Sequence, residues 1–350
     1  MSRFFNQKYS SLEPYTPGEQ PQDMQYIKLN TNESPFDVPE GVVRAAEAAA
    51  KRLRLYPDPT CASLIKKLAE VTGLKEEQLL INNGSDEGLY FSFLAFCGED
   101  SPAAFPDITY GFYPVFAQFC GVPYTEIPLK EDFSVDVGDY TGINKNIFIA
   151  NPNAPTGMAL KPSDIERILG SNPDNIVLVD EAYVDFGAES CLSLVNEYDN
   201  LIVTQTFSKS RSLAGARLGF AAASPEIIQD LNTVRFSTNP YNINAMTLAA
   251  GTASLDAQEY MKANCLKIQE NRAYTVDALK ALGFQVTDSY ANFIFARHPG
   301  TDGKELYLTL KANGILVRHF DKPRIRDFIR ITIGTREQME ALISKIKEIL

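Results

Sequence analysis

The chain has 350 residues, 45% of them hydrophobic, and a formal net charge of −11. A chain of that size and apolar content can bury a large core, and two packed lobes are expected rather than one. The acidic balance argues against a general nucleic-acid partner, which surplus Lys and Arg would have to grip, but it leaves room for a small anionic ligand in a local basic pocket.

The opening MSRFFNQKYS has no apolar signal core, and no uncharged apolar run is long enough to span a bilayer, so a soluble, unexported, cytoplasmic chain is expected. EPYTPGEQPQDM (13–24) reads as an extended arm lying across another surface. VVRAAEAAAKRLRL (42–55) and SLIKKLAEVTG (63–73) have helical periodicity. INNGSDEGLYFSFLAF (81–96) reads as a strand end, a glycine turn and an apolar helix. NIFIA (146–150), NIVLVD (175–180), LIVTQTF (201–207) and RLGFAAA (217–223) read as buried strands. Their alternation with helices predicts an α/β layer with a largely parallel sheet. Residues 256–282 form a long helical pattern stopped by Gly283. Strand-like FQVT and NFIFAR, a helix near 303–312, strands GILVR and FIRITIG and a closing helix over 336–349 follow, which predicts a smaller α+β lobe.

Five cysteines, Cys61, Cys97, Cys120, Cys191 and Cys265, form no CxxC or metal-type cluster and read as reduced thiols. His298 and His319 have no ligand spacing, so zinc and Ser-His hydrolase chemistries are weak readings and no metal is expected.

Polar residues fall just past the buried strands: Asn151 and Asn153 after IFIA, Asp180 and Glu181 after IVLV, Ser208 and Lys209 after LIVTQTF. Ligands bind at such carboxyl ends in parallel α/β sheets. An Asp180 carboxylate there needs a partner: Lys209, Arg217 or a bound cofactor, against a plain cap or structural ion pair. The Ser85 turn opens a helix whose free N–H groups suit a phosphate, although a Gly-Ser helix cap is the simpler reading. Lys209, beside Ser208 and eight residues before Arg217, reads as a partly desolvated amine whose lowered pKa suits Schiff-base formation.

SKSRSLAGARLGF resembles the lysine motif of fold type I pyridoxal-phosphate aminotransferases, and NPNAPTG, VDEAY and IRITIGT resemble three further motifs of that family in the same order. Within it the likeness is nearest to the histidinol-phosphate aminotransferases, through PYTPG, KLNTNESPF, YPDP, NNGSDEG, TYGFYPVF, GILVRHF and FIRITIGTREQ. The resemblance implies a fold type I architecture: an arm over 1–40 joining the small domain, a large cofactor domain with a mostly parallel mixed sheet over 41–255, and a small α+β domain over 256–350. It implies that Lys209 carries pyridoxal phosphate covalently and shuttles the substrate Cα proton. Asp180 is then expected at the pyridine nitrogen, Tyr110 stacked on the ring, and Tyr183 and Asn153 near its phenolic oxygen. The cofactor phosphate would be held by Ser85 and Asp86 N–H groups, Ser208, Arg217 and Tyr56 of a second subunit, which makes the expected protein a homodimer.

On the substrate side the resemblance implies Arg330 for an α-carboxylate, Arg318 and Tyr15 for a substrate phosphate, and Asn32 nearby. The implied reaction moves an amino group between histidinol phosphate and 2-oxoglutarate in histidine biosynthesis. Alternatives are an aminotransferase for aromatic or other amino acids, a threonine-phosphate decarboxylase-like lyase, or the sensor half of a regulator. One departure stands out: the family commonly has Asn before the proline of PTG, and here that position is Ala154. The carboxamide at the phenolic oxygen is then missing unless Asn153 or Asn151 reaches the same place.

Overall fold

The computed structural model describes residues 2–350. After the arm come strand β1 (Ile27–Lys28) and helices α1 (Glu40–Ala50) and α2 (Ala62–Thr72). Strand β2 (Leu79–Asn82) turns into α3 (Ser85–Phe96), followed by β3 (Ala103–Pro106), α4 (Phe112–Cys120), β4 (Tyr124–Ile127) and β5 (Asn146–Ala150). Next are α5 (Pro162–Ser171), β6 (Val177–Asp180), β7 (Leu201–Thr206), β8 (Gly219–Ala223), α6 (Pro225–Thr238) and α7 (Ala245–Ser254). The last third holds α8 (Gln258–Ala281), β9 (Gln285–Val286), β10 (Phe293–Arg297), α9 (Gly303–Ala312) and β11 (Ile315–Leu316). It ends with β12 (Arg318–His319), β13 (Ile329–Thr332) and α10 (Arg336–Ile349).

The large sheet has the order β2-β8-β7-β6-β5-β3-β4. Only β8 runs against its neighbours; β7, β6, β5, β3 and β4 pair in parallel. Alternate residues of each strand feed two separate cores. Ile147, Ile149, Val177, Val179, Leu201 and Val203 pack with Leu64, Leu68, Ile165 and Ile168 on one face. Phe148, Leu178 and Ile202 pack with Leu89, Phe93, Tyr113 and Leu231 on the other. Burial on both faces is why these strands are continuous apolar runs instead of alternating ones. The expected α/β layer is therefore present, with its one antiparallel strand near an edge.

A second sheet, β12-β13-β10-β9, is antiparallel and packs against α8, α9 and α10 through Ile268, Leu279, Ile294, Leu306, Leu310, Ile329, Ile331, Leu342 and Ile346. Helix α10 opens with a capping box: Thr335 Oγ1 accepts from Gln338 N at 3.3 Å, and Gln338 Oε1 accepts from Thr335 N at 2.9 Å. The arm joins this sheet's neighbourhood, since β1 pairs in parallel with β11 and Leu29 enters the same core. Phe295 and Phe328, stacked at 4.6 Å, meet Ile108, Leu129 and Phe133 from the large-sheet side, and this apolar contact holds the two sheets together.

Two sequence expectations are corrected. The helix expected to run to residue 55 stops at Ala50. Leu53 and Leu55 are 56% and 54% exposed, so no apolar surface within the chain rewards further helix, and Pro57 disfavours helical geometry just before it. GILVR is not one strand but two short ones divided at buried Val317, because the chain leaves its pairing with β1 to join β13.

Candidate active site

Parallel pairing brings the carboxyl ends of β5, β6 and β7 into one rim, with Asp180 in register with Ala150 and Thr204. A cavity of about 680 Å³ opens there, bounded by the arm above and by β12 and β13 at the side. Among the expected site residues, Ser85, Asp86, Tyr110, Asp180, Tyr183, Ser208, Lys209, Arg217, Arg318, Arg330, Tyr15 and Asn32 all line it.

Asp180 is buried at the end of β6 with no cation in contact among the described residues. Its carboxylate accepts from Ala182 N at 3.2 Å, Thr204 Oγ1 at 3.4 Å and Tyr113 OH at 3.4 Å. Burial, reinforced by the Asp86 carboxylate, pushes its pKa up to about 7. Such a group is poised to meet a cationic ring nitrogen, which would restore its ordinary acidity.

Lys209 reaches the same space from the turn after β7. Its Nζ donates to the Thr31 carbonyl at 3.0 Å and lies 5.7 Å from the Tyr183 ring centre. Burial and the nearby Arg330 charge bring its pKa down to about 8. A neutral amine is therefore accessible near physiological pH, the form that attacks a carbonyl.

An anion cradle forms at the start of α3. Gly84, at φ +75°, makes the turn into the helix, whose first residues Ser85 and Asp86, with N–H groups free of helical partners, line the cavity. Arg217 extends toward the same turn, and a Cβ on Gly84 would lie 2.5 Å from its Nη2. The Arg217 guanidinium donates to Ser208 Oγ at 3.3 Å and pairs with Asp86 at 3.3 Å. Asp86 in turn accepts from Tyr110 OH at 2.7 Å, which fixes the Tyr110 ring beside Tyr15. Arg217 itself has φ +54°, a costly conformation for a non-glycine residue that concentrates at functional sites.

The opposite wall is cationic. Arg318 and Arg330 are register partners across β12 and β13, so two guanidinium-bearing residues sit side by side. Arg330 Nη2 donates to the Asn30 carbonyl at 2.8 Å, while its buried Nε has no partner among the described residues. Arg318 donates to the Thr16 and Pro17 carbonyls at 3.0 and 3.1 Å and so ties the arm over the cavity. Tyr15 of that arm stacks on Phe112 at the start of α4, at 4.2 Å.

Asn153 is a correction. Its amide donates to the Ile108 carbonyl at 2.9 Å and Thr156 Oγ1 at 3.0 Å and accepts from Thr109 Oγ1 at 2.8 Å. Bonded to its own loop and to the segment after β3, it does not line the cavity. Asn151 is likewise occupied by both backbone groups of Leu160, at 3.1 and 2.7 Å. Glu181 lies on the other side of the sheet from Asp180, bonded to Ser190, Cys191 N and Gln205, and Tyr56 stands 81% exposed outside the cavity.

Sequence reasoning missed Thr31, Thr204, Tyr113 and Lys322, which also lines the cavity. Thr204 had a readable signal, a lone hydroxyl inside the apolar LIVTQTF; Thr31 and Tyr113 lie inside the motifs KLNTNESPF and TYGFYPVF, and Lys322 has no local mark.

An electrophile-accepting lysine, a carboxylate for a ring nitrogen, an anion cradle and a pair of arginines together suit a phosphorylated aromatic aldehyde beside an anionic substrate. The chain belongs to the class I and II aminotransferase family, whose model matches residues 24–346. The histidinol-phosphate aminotransferase of Marinomonas sp. is 49% identical to it over 99% of both chains. That of Brachyspira hyodysenteriae is 47% identical over 100% of this chain and 99% of its own. The fold is the fold type I aminotransferase fold. Histidinol-phosphate aminotransferase from Sinorhizobium meliloti, solved with pyridoxal-5'-phosphate, superposes with a TM-score of 0.85 at 23% identity over 93% of this chain and 92% of that one.

Proposed function

We propose that the protein is a pyridoxal-phosphate-dependent transaminase that moves the amino group of histidinol phosphate to 2-oxoglutarate, in the histidine biosynthesis of the cytoplasm. The observation that carries this reading is the cross-strand pair Arg318 and Arg330 at the cavity wall. A phosphate monoester bears up to two negative charges, and two guanidiniums match it better than one. Relatives acting on uncharged side chains would have no use for the second.

The residues fit pyridoxal phosphate. Ser85 and Asp86 N–H groups, Ser208 and Arg217 would hold its phosphate, Asp180 its ring nitrogen, Tyr110 its ring, and Lys209 its aldehyde carbon. When bound, the cofactor supplies an electron sink for the bonds of the substrate Cα. Lys209 provides the amine that takes the proton from Cα and returns it. Asp180, buried and without a cation of its own, keeps the ring nitrogen charged. Arg330 grips the carboxylate of glutamate and, with Arg318 and Tyr15, the phosphate of histidinol phosphate, which has no carboxylate. The arm tied down by Arg318 keeps water from the reacting carbon.

The functional unit in this proposal is a homodimer. Leu53, Leu55, Tyr56, Phe236 and Tyr241 are exposed, and Tyr56 stacks on Tyr241 at 4.6 Å, which leaves an apolar face for a second copy. Tyr56 then reaches the neighbouring cofactor phosphate. The division into an arm (1–40), a cofactor domain (41–255) and a small domain (256–350) belongs to the same reading.

The test is steady-state kinetics with two donors. Arg318→Met should raise KM for histidinol phosphate by roughly ten- to a hundredfold, the loss of a charged hydrogen bond, while glutamate is much less affected. An equal loss for both donors would mean that Arg318 acts only through the arm. Faster turnover of phenylalanine than of histidinol phosphate, or release of carbon dioxide without a keto acid, would replace the reading by an aromatic transaminase or a lyase.

A further inference from the structure

We infer that Asn32 is a positioning residue that makes the Tyr183 hydroxyl a hydrogen-bond donor into the cavity, supplying there the contact that Ala154 does not. The inference rests on the pyridoxal-phosphate reading of this site.

The bonding pattern favours one orientation of the Asn32 amide. Thr332 Oγ1 accepts from Asn32 N at 3.0 Å and donates to Asn32 Oδ1, also at 3.0 Å; with the amide reversed, that hydroxyl hydrogen would lose its acceptor. With Oδ1 assigned to Thr332, Nδ2 is the group that faces Tyr183, and it donates to the Tyr183 hydroxyl oxygen at 3.0 Å. Asn292 Nδ2 donates to the Asn32 carbonyl at 3.0 Å and locks the residue from its other side. Asn32 has φ +56°, a left-handed conformation that asparagine tolerates better than most side-chain-bearing residues.

A hydroxyl that accepts from Asn32 must send its own hydrogen elsewhere. No acceptor for it is found among the described residues, and Tyr183 lines the cavity. The ring is held edge-on to Phe293 at 5.0 Å and packs against Ala154 and Ala291, so the hydroxyl cannot swing away. Burial raises the Tyr183 pKa, which keeps the phenol protonated and able to donate. The segment that places Asn32 also supplies the Thr31 carbonyl that holds Lys209 Nζ at 3.0 Å. One turn of the arm therefore sets both the lysine and the tyrosine donor.

The target of that donor is the cofactor's phenolic oxygen. With the cofactor's aldehyde carbon bonded to Lys209, this oxygen and the Lys209 nitrogen would share a proton. A donor at the oxygen withdraws electron density from it and lowers the pH at which that proton leaves. Ala154 brings no carboxamide to share the task, and Asn151 and Asn153 are both committed elsewhere.

The experiment is a pH titration of the visible absorbance of the pyridoxal-phosphate-loaded chain for wild type, Asn32→Ala, Tyr183→Phe and the double variant. Each single change should raise the transition by about one pH unit, and the double variant should add nothing further, because Asn32 acts through Tyr183. Melting temperature and cofactor occupancy are measured for each variant; Asn32→Ala should melt a few degrees lower, since buried Thr332 loses its acceptor and alanine resists a φ of +56°. Should Asn32→Ala fold poorly, Asn32→Asp keeps the Thr332 and Asn292 bonds but draws the tyrosine hydrogen out of the cavity, and the same upward shift is expected. An unmoved transition in a folded, loaded variant, or additive shifts in the double, overturns the inference while the cofactor reading stands. Absence of any visible absorbance in wild type overturns the cofactor reading as well.

Discussion

Lys209 is held inside the cavity by a single carbonyl acceptor, and that sparse solvation lowers its pKa to about 8. The neutral amine then becomes the major form above that pH, well below the ordinary lysine value of 10.5. Covalent attachment of pyridoxal phosphate, trapped with borohydride and counted by mass spectrometry, should accelerate with pH through about 8 and then level off. Attachment that keeps accelerating toward 10.5 would show an ordinary lysine. Lys209→Ala should trap none and lose at least about a thousandfold in turnover, the scale of a missing proton-transfer group. Asp180 carries the opposite shift. Its folded pKa is raised to about 7 from an ordinary 3.8, so the folded state holds a proton that the unfolded chain gives up. That contribution to stability is whole below the ordinary value and is lost as pH rises through about 7. Cofactor-free Asp180→Asn should therefore match wild type in melting temperature near pH 4 and exceed it by several degrees at pH 8. Equal melting temperatures across that range, read by calorimetry, would contradict the burial argument. Lys209 and Asp180 were both legible in the sequence because each breaks an apolar strand pattern at its carboxyl end. The roles of Asn153 and Asn32 were not, since a side-chain amide can turn either way until its neighbours are known.

At the scale of elements, the cradle depends on how closely β8 approaches the start of α3. A Cβ on Gly219 would lie 2.6 Å from Ser85 N and 2.8 Å from both Gln205 O and Gly84 C, all of them backbone atoms that cannot yield. Gly219→Ala should cost about 1–3 kcal/mol of stability and weaken pyridoxal-phosphate binding, as read by calorimetry and fluorescence titration. Gly98→Ala, which meets nothing within 4 Å, is the matched control. A Gly219→Ala protein that binds the cofactor like wild type would remove this glycine from the account of the site. The central strands were readable because burial on both faces demands unbroken apolar sequence. Edge strand β4, with two exposed residues in its four, carries no such mark. Helix α1 was overextended because its period continues past Ala50 while the packing surface does not.

For the molecule as a whole, the exposed Leu53, Leu55 and Tyr56 are costly on a lone chain and economical in a dimer. Sedimentation should give a dimer, and the double change Leu53→Glu and Leu55→Glu should give monomers whose affinity for pyridoxal phosphate falls, as Tyr56 no longer reaches the partner site. A wild-type monomer with full cofactor affinity would refute the dimeric site.

The α/β class, the strand ends that carry chemistry and the family motifs are legible in the chain alone, because apolar periodicity and strand-end polarity act over a few neighbouring residues. Tertiary structure alone decided the pairing of Arg318 with Arg330, the inward turn of Asn153, and the chain of bonds from Thr332 through Asn32 to Tyr183. Thr332 and Asn32 are 300 residues apart, and only the packing of the arm against the small sheet brings them within hydrogen-bonding distance.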